Sequence, residues 1–366
     1  MKRLRVARAL ALAGIDFAFV SPFHKVTKTP GGGFSLILKL KPGSSGAKLL
    51  ELKENLSTAL NYDELEIRRI TPRKYELVAR RALPAKFPEF HQSYPDQIVP
   101  PRTPENVPIG IDADGNTAFF PMFDDAGGTV SLIAGNPGTG KSSALRILVA
   151  SLMPTNTTIV WLDPKGGADA SVFSSRVEAI PDCVNSKIAF NKLKEINDLI
   201  IRRSRAIANG YDVSLFRNLV VFVDEWASLG VDGIKKEREA VDEQLRRIAS
   251  TGRAAKVSLV LATQRPTSTN IDVSTRGLAT MRLVFAVMDT HASIASLGYT
   301  GAELLQPKRD RGIAIMNDTI GIRKVRIFKV PGNLKDLADQ TKGLKTTLQE
   351  LSDWESSAVL GTDQAQ

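Results

Sequence analysis

The run Gly135-Asn136-Pro137-Gly138-Thr139-Gly140-Lys141-Ser142 constrains this chain more than any other feature. It fits G-x-x-x-x-G-K-[ST], follows the apolar stretch Val130 to Ala134, and opens a helical stretch, Ser143 to Leu152. Glycines at these positions let backbone N–H groups turn inward around phosphate oxygens, and the helix N-terminus adds positive potential. Lys141 can then reach the β- and γ-phosphates, and the Ser142 hydroxyl can ligate Mg²⁺. Gly135 to Ser143 is therefore the expected nucleotide cradle, with ATP and Mg²⁺ as cofactors. The competing reading is a glycine-rich turn that binds nothing. On average composition a chance match in a chain this long is on the order of one per cent, and the strand–loop–helix context lowers it further.

The surrounding pattern is of the same kind. Apolar runs recur at 130–134, 158–162, 219–223, 257–262, 282–287 and 312–316, with helical segments between several of them. Near-continuous apolar strands alternating with helices predict an α/β domain with a buried, mainly parallel sheet over 110–331. Ahead of it, Phe34 to Leu40 reads as a strand. Leu49, Leu52, Leu56 and Leu60 recur at helical spacing, and two short strands follow near Glu64–Ile70 and Tyr75–Ala79. This predicts a small β-α-β-β domain over 31–83. Pro84, Pro88, Pro95, Pro100, Pro101, Pro104 and Pro108 mark an extended linker over 84–109. Asp112-Ala113-Asp114-Gly115 reads as a turn between two short strands. Residues 1–30 form a basic N-terminal segment, and 332–366 a helical and polar tail.

Charge is unevenly spread over the 366 residues: the net charge is +10, and residues 1–90 hold 17 Lys+Arg against 8 Asp+Glu. A basic front end suits a polyanion, either nucleic acid or an anionic membrane surface, or is a solvated basic surface. The single cysteine, Cys183, excludes a disulfide framework, and three scattered histidines, His24, His91 and His291, argue against a zinc site. No apolar run reaches the ~20 residues that span a bilayer. Ala9 to Val20 faintly resembles a signal peptide after Lys2, Arg3, Arg5 and Arg8, but Asp16 interrupts it. A short basic amphipathic helix, contacting a membrane surface or partner, or simply packing, is expected there. The simplest location is cytoplasmic, with recruitment to the inner face of the membrane open.

Leu219 to Val223 is an apolar strand ending in Asp224-Glu225. Side chains alternate along a strand, so the two carboxylates point different ways. Asp224 is placed to hold Mg²⁺ through water, and Glu225 to orient and deprotonate the attacking water; the alternative is an acidic strand end facing solvent. Lys256 to Thr263 is another apolar strand, ending in Gln264-Arg265-Pro266. Gln264 is the candidate γ-phosphate sensor, or else part of a turn before proline. Asp163-Pro164-Lys165-Gly166 closes a further strand at the edge where open α/β sheets bind ligands. It either couples nucleotide state to the rest of the machine or forms a turn.

These segments resemble the FtsK/SpoIIIE family of double-stranded-DNA translocases: LIAGNPGTGKSSALR (132–146), DPKGG (163–167), VVFVDEW (220–226), TGRAAKVSLVLATQRPT (251–267) and RLVFAVMDTHASIASLGYTGAELL (282–305). Order and approximate spacing agree over 110–330, and the small domain also looks like the one preceding the motor in that family. The resemblance implies a RecA-like motor that assembles as a hexameric ring around duplex DNA and hydrolyses ATP between subunits. Such interfaces use an arginine from the neighbour. Arg282 and then Arg253 are the candidates, each alternatively a structural ion-pair partner. Lys235, Lys236 and Arg238 are candidate DNA contacts in a loop facing the pore, or a solvated helix face. Larger family members carry transmembrane helices and a winged-helix module; this chain shows no such helices, and its tail is too short for that module. Its Gln306 to Gly312 segment is more basic than the family's glycine-rich one. In this it is most similar to the transfer proteins of actinobacterial conjugative plasmids and integrative elements. The implied partners are double-stranded DNA, further copies of the chain, and a membrane-associated protein. Two other functions stay open: a secretion ATPase that moves protein, and an ATP-gated DNA-binding or replication module that does not translocate.

Overall fold

The computed structural model describes residues 2–12, 15, 17–19, 26–29, 32–83, 103–266 and 277–363. His24, His91 and most of the proline-rich stretch lie outside the described residues. The chain divides into two compact units, one of residues up to 86 with 111–117, the other of the remainder.

The first unit contains α1 (Lys2–Leu12), β1 (Phe17–Phe19), β2 (Thr27–Lys28), β3 (Phe34–Leu40), α2 (Gly46–Glu51), α3 (Lys53–Leu60), β4 (Glu64–Thr71) and β5 (Lys74–Arg80). Its sheet runs in the order β1-β3-β5-β4, with β2 on β3, all antiparallel. The β-α-β-β pattern is thus present as β3, α2–α3, β4 and β5. Strand β3 shows why: Phe34, Leu36, Leu38 and Leu40 are buried, while Lys39 between them is exposed. That period of two gives a sheet one apolar face. Helices α2 and α3 cover it with Leu49, Leu56 and Leu60, and α3 ends on Asn61 in the left-handed conformation. Helix α1 joins the same core: Val6 and Leu10 are fully buried and Ala9 nearly so. The sequence expectation set residues 1–30 apart as a separate segment. The short helix expected over Ala9 to Val20 lies earlier instead, as α1 at Lys2–Leu12, and Phe17–Phe19 form β1 because they pair with β3; the apolar stripe of α1 is used inside the unit.

The second unit contains most of β6 (Pro108–Asp112) and of β7 (Thr117–Phe119), then β8 (Phe123–Asp124), β9 (Gly127–Gly128), β10 (Val130–Ala134), α4 (Lys141–Leu152), β11 (Thr157–Leu162), β12 (Glu178–Ile180), α5 (Ser186–Ala208) and β13 (Asn218–Asp224). There follow α6 (Lys235–Thr251), β14 (Val257–Thr263), β15 (Met281–Val284), α7 (Thr290–Leu297), β16 (Ile313–Asp318), β17 (Gly321–Ile327), α8 (Leu334–Gln340) and α9 (Leu348–Asp363). Ten strands form one sheet in the order β12-β11-β13-β14-β10-β15-β16-β17-β6-β7. The six from β12 to β15 are parallel, and β16 and β17 continue antiparallel. This is the expected α/β fold with a mainly parallel sheet, the glycine loop of the RecA-like type following its β10 strand. Between β6 and β7, Asp112 Oδ1 accepts the amides of Asp114 and Asn116, forming the expected turn.

Every residue of β10, β11 and β14 is buried, as a parallel sheet covered on both faces requires. On one face α5 buries Ala189, Leu193, Ile196 and Ile200, an i, i+4, i+7, i+11 stripe, against Val241, Leu245 and Ile248 of α6. Burying each leucine or isoleucine stabilises the fold by roughly 1.5–3 kcal/mol. The tail is part of this unit rather than an appendage. Leu348 and Leu351 enter its core, and Glu355 of α9 pairs with the buried Arg203 of α5. Among the described residues no helix is long and apolar enough to cross a membrane.

Candidate active site

Parallel register brings four strand tips to one edge of the sheet. Leu162 lies beside Val223, Asp224 beside Ala262, and Ala134 beside Thr263. The residues that follow these positions in the chain are Asp163, Glu225, Gln264 and Gly135. The motifs separated along the sequence therefore emerge side by side.

The loop after β10 is held from beneath. Asn136 N donates to the Ala286 carbonyl at 2.9 Å, the Thr139 hydroxyl to the Asn136 carbonyl at 2.7 Å, and Gly312 N to the Thr139 carbonyl at 2.8 Å. Two glycines have no substitute here. A Cβ on Gly135 would lie 2.7 Å from Phe285 Cβ, and one on Gly140 would lie 2.9 Å from the Phe285 ring, at φ of +156° and +133°. Pro137 and Gly138 are exposed at the tip, and Ser142 and Ser143 are half-buried. The amides of Lys141, Ser142 and Ser143 belong to the first turn of α4, where no intrahelical acceptor exists, and they have none among the described residues. A row of unpaired N–H groups at a helix N-terminus is an anion receptor.

Asp224, fully buried at the end of β13, sits opposite this loop. Its Oδ1 accepts Lys141 Nζ at 2.7 Å and Lys165 Nζ at 3.2 Å. Burial by itself would push the Asp224 carboxyl up. The ammonium groups of Lys141 and Lys165 outweigh that and hold it below the usual carboxylate range. Its Oδ2 is buried and has no hydrogen-bond partner. An orphaned carboxylate oxygen beside a cradle of amides suits Mg²⁺, which keeps most of its waters and takes one or two protein ligands plus phosphate oxygens. The fit is with that arrangement and not with a dedicated cage: no group of three or more His, Cys, Asp or Glu side chains converges among the described residues.

Glu225 points elsewhere, and the reason is sharper than strand alternation. It adopts φ +72°, in the left-handed region, so the chain breaks from β13 at this residue. A non-glycine residue held there stores local strain, on the order of 1–3 kcal/mol. The carboxylate turns toward β14, where Oε1 accepts the Thr263 hydroxyl at 3.0 Å and Oε2 accepts the Gln264 amide at 3.0 Å. Gln264 therefore touches Glu225 through its backbone.

The remaining candidates are spread more widely. Arg282, on β15, donates to the Ser296 carbonyl at 3.5 Å, against the end of α7. Arg253 pairs with Asp124 at 2.7 Å and lies in the turn before β14, at the opposite strand end from Thr263. Lys235, Lys236 and Arg238 are exposed in the first turn of α6, and Lys235 approaches Glu239 at 3.8 Å. Three participants escaped the sequence reading. Thr263 closes an apolar strand, and its hydroxyl at the end of that run is the one signal in the sequence for its place beside Glu225. Phe285 and Gly312, which press on the loop, carry no local signal. Lys165, expected either to couple nucleotide state or to form a turn, is found on Asp224.

The FtsK/SpoIIIE family model matches residues 176–268, which span Asp224, Glu225 and Thr263. The DNA translocase FtsK of Tropheryma whipplei is 26% identical over 307 residues, covering 75% of this chain and 39% of that protein. The FtsK of Lactococcus lactis strain MG1363 is 26% identical over 325 residues, covering 81% of this chain and 41% of that protein. The chain spans about two-fifths of the length of these curated relatives. Among solved structures, the conjugation coupling protein TcpA of pCW3, in monomer form with ATPγS, superposes with a TM-score of 0.64 at 16% identity, covering 94% of this chain and 99% of that one. These likenesses agree with the relationship read from the motifs, and the structural one shows a shared α/β fold over most of the chain.

Proposed function

We propose that this relative of the FtsK/SpoIIIE translocases hydrolyses ATP to move double-stranded DNA, acting as a ring of identical subunits in conjugative transfer or in chromosome or plasmid segregation. One observation carries the reading: Lys141 of the loop meets Asp224 of the carboxylate strand at 2.7 Å, across 83 residues of sequence, with Glu225 next in the chain. A switch or binding module needs the first carboxylate; a hydrolase gains from the second.

Each residue then has a task. The amides of Lys141, Ser142 and Ser143 and the Lys141 ammonium receive the triphosphate, and Ser142 and Asp224 hold Mg²⁺. When bound, that ion polarises the phosphoryl oxygens and offsets charge developing on them. Glu225 accepts a proton from the attacking water once it leaves Thr263 and the Gln264 amide. In that pair Gln264 reports the state of the γ-phosphate. An arginine of the neighbouring subunit, Arg282 or Arg253, completes the site. Lys235, Lys236 and Arg238 contact DNA phosphates with little base preference.

The test is steady-state phosphate release with and without linear duplex DNA. Lys141→Ala should abolish turnover, and Glu225→Gln should bind ATP without releasing phosphate. DNA-stimulated turnover that survives in Glu225→Gln sinks the assigned base. The cargo can be checked separately. The cytoplasmic domain of the type VII secretion ATPase EccC from Thermomonospora curvata superposes with a TM-score of 0.55 at 23% identity, covering 68% of this chain and 32% of that one. A motor that moves protein should gain nothing from duplex DNA. A nucleotide-gated DNA-binding module should bind duplex yet fail to displace a triplex-forming strand from it.

A further inference from the structure

One motif is not absorbed by these assignments. Asp163-Pro164-Lys165-Gly166-Gly167 follows β11, and its lysine reaches the centre of the site. The loop is built to hold that lysine. Asp163 is fully buried; its Oδ1 accepts the Lys165 amide at 2.9 Å, and its Oδ2 accepts the Asp169 amide at 3.3 Å. Gly166 and Gly167 both adopt φ near +80°, at 77° and 79°, which lets the chain reverse directly after Lys165. Asp169 in turn pairs with Arg146 of α4. The loop is thereby tied to the same helix that opens with Lys141.

The two lysines are differently disposed. Lys141 is nearly inaccessible, whereas about a third of the Lys165 side chain is open to solvent. Both ammonium groups share one oxygen of Asp224. Two cations on one oxygen repel each other, and they are tolerated because Asp224 and Glu225 balance them. A bound triphosphate with Mg²⁺ would add net negative charge beside these lysines, with Asp224 as the carboxylate that would hold the ion. Lys165, on a tethered loop with a flexible four-carbon stem, can follow that charge.

We infer that Lys165 is a second phosphate-binding lysine, paired with Asp224 until a nucleoside triphosphate binds and then transferred to its terminal phosphate. The inference rests on the proposed ATPase reading. It assigns to the chain's own loop part of the charge compensation otherwise left to a neighbouring arginine. On this inference Lys165 discriminates a triphosphate from a diphosphate, because only the former carries the terminal phosphate it takes up.

The experiment compares the binding of ATPγS and of ADP, each with Mg²⁺, to the full chain by fluorescence competition, alongside phosphate release. A charge-assisted contact to one phosphate group accounts for about tenfold to a hundredfold in affinity. Lys165→Met should weaken ATPγS by that factor and leave ADP within about twofold. Lys165→Arg should recover most of the loss, and Lys141→Met should lose both ligands. Lys165→Gln, which keeps a polar end, guards against a packing defect, and thermal melting confirms that each variant is folded. Equal weakening of ADP and ATPγS would make Lys165 a mere support for Asp224 and overturn the inference, as would unchanged affinity for both. Absence of any nucleotide binding by the unaltered protein would instead defeat the ATPase reading itself.

Discussion

Replacing Glu355 by alanine strands one of the most buried charges in the protein. Arg203 is 1% exposed, and Glu355 is the carboxylate that balances it, with Nε to Oε2 at 3.0 Å and Nη2 to Oε1 at 2.5 Å. The remaining guanidinium donors go to the carbonyls of Ala255 at 2.6 Å and Arg217 at 2.7 Å, and the ring of Phe216 lies 5.2 Å from Cζ. After Glu355→Ala those carbonyls remain, but the charge is uncompensated, and breaking one side of such a pair costs about 3–5 kcal/mol. A cavity of about 320 Å³ borders Arg203 and Glu355 and lets water approach, so the lower end of that range is expected. All three tryptophans, Trp161, Trp226 and Trp354, belong to the second unit, so their fluorescence follows its unfolding alone. Urea titration should show the loss directly. In thermal scans, with about 2–4 °C per kcal/mol for a domain of this size, the midpoint should fall by roughly 6–12 °C. The paired change Arg203→Met with Glu355→Leu should cost less than either single removal summed with the other. If Glu355→Ala stays within about 1 kcal/mol of the unaltered protein, the α5–α9 ion pair does not anchor the tail and the reasoning is wrong.

Other consequences are simpler to read out. Thr263→Val removes the hydroxyl that orients Glu225, so saturating ATP turnover should drop about tenfold or more while ATPγS affinity holds within about twofold; Thr263→Ser should restore it. Unchanged turnover in the valine variant would deny Thr263 that part. The lowered pKa of Asp224 means its contribution to stability is present above about pH 4, the unfolded value, and disappears as pH falls through the still lower folded value. Acid titration of tryptophan fluorescence should therefore show a shallower decline below pH 4 for Asp224→Asn; an identical slope would contradict the ion-pair assignment. Burial pushes the Cys183 thiol up to about 12, so at pH 8 about one thiol in ten thousand is ionised. A thiol reagent should react with the native protein only at the rate of unfolding, and rapid native-state labelling would place Cys183 nearer the surface than the structure does.

The chain's local chemistry was enough to locate the glycine loop between β10 and α4, because strand, glycines, lysine and helix are contiguous and each is demanded by neighbours within a few residues. The apolar strand closed by Asp224-Glu225 was equally readable, as were β3 with its period of two and the leucine stripe of α3. Register and long-range pairing were not. The order β11-β13-β14-β10 follows from how crossovers wrap the sheet, and nothing near Lys165 in the sequence announces Asp224, 59 residues away. The same holds for Thr263 on Glu225 across 38 residues, and for Arg203 on Glu355 across 152. Helix α1 looked like a separate basic arm because its cationic residues are visible in sequence, whereas the core that absorbs Val6 and Leu10 forms only when β3 and β5 have paired. Sequence by itself determined which groups could meet a phosphate, since those properties are carried by residue type and immediate spacing. Tertiary structure alone decided which of them share an oxygen atom, because that depends on strand adjacency, which a linear pattern does not encode.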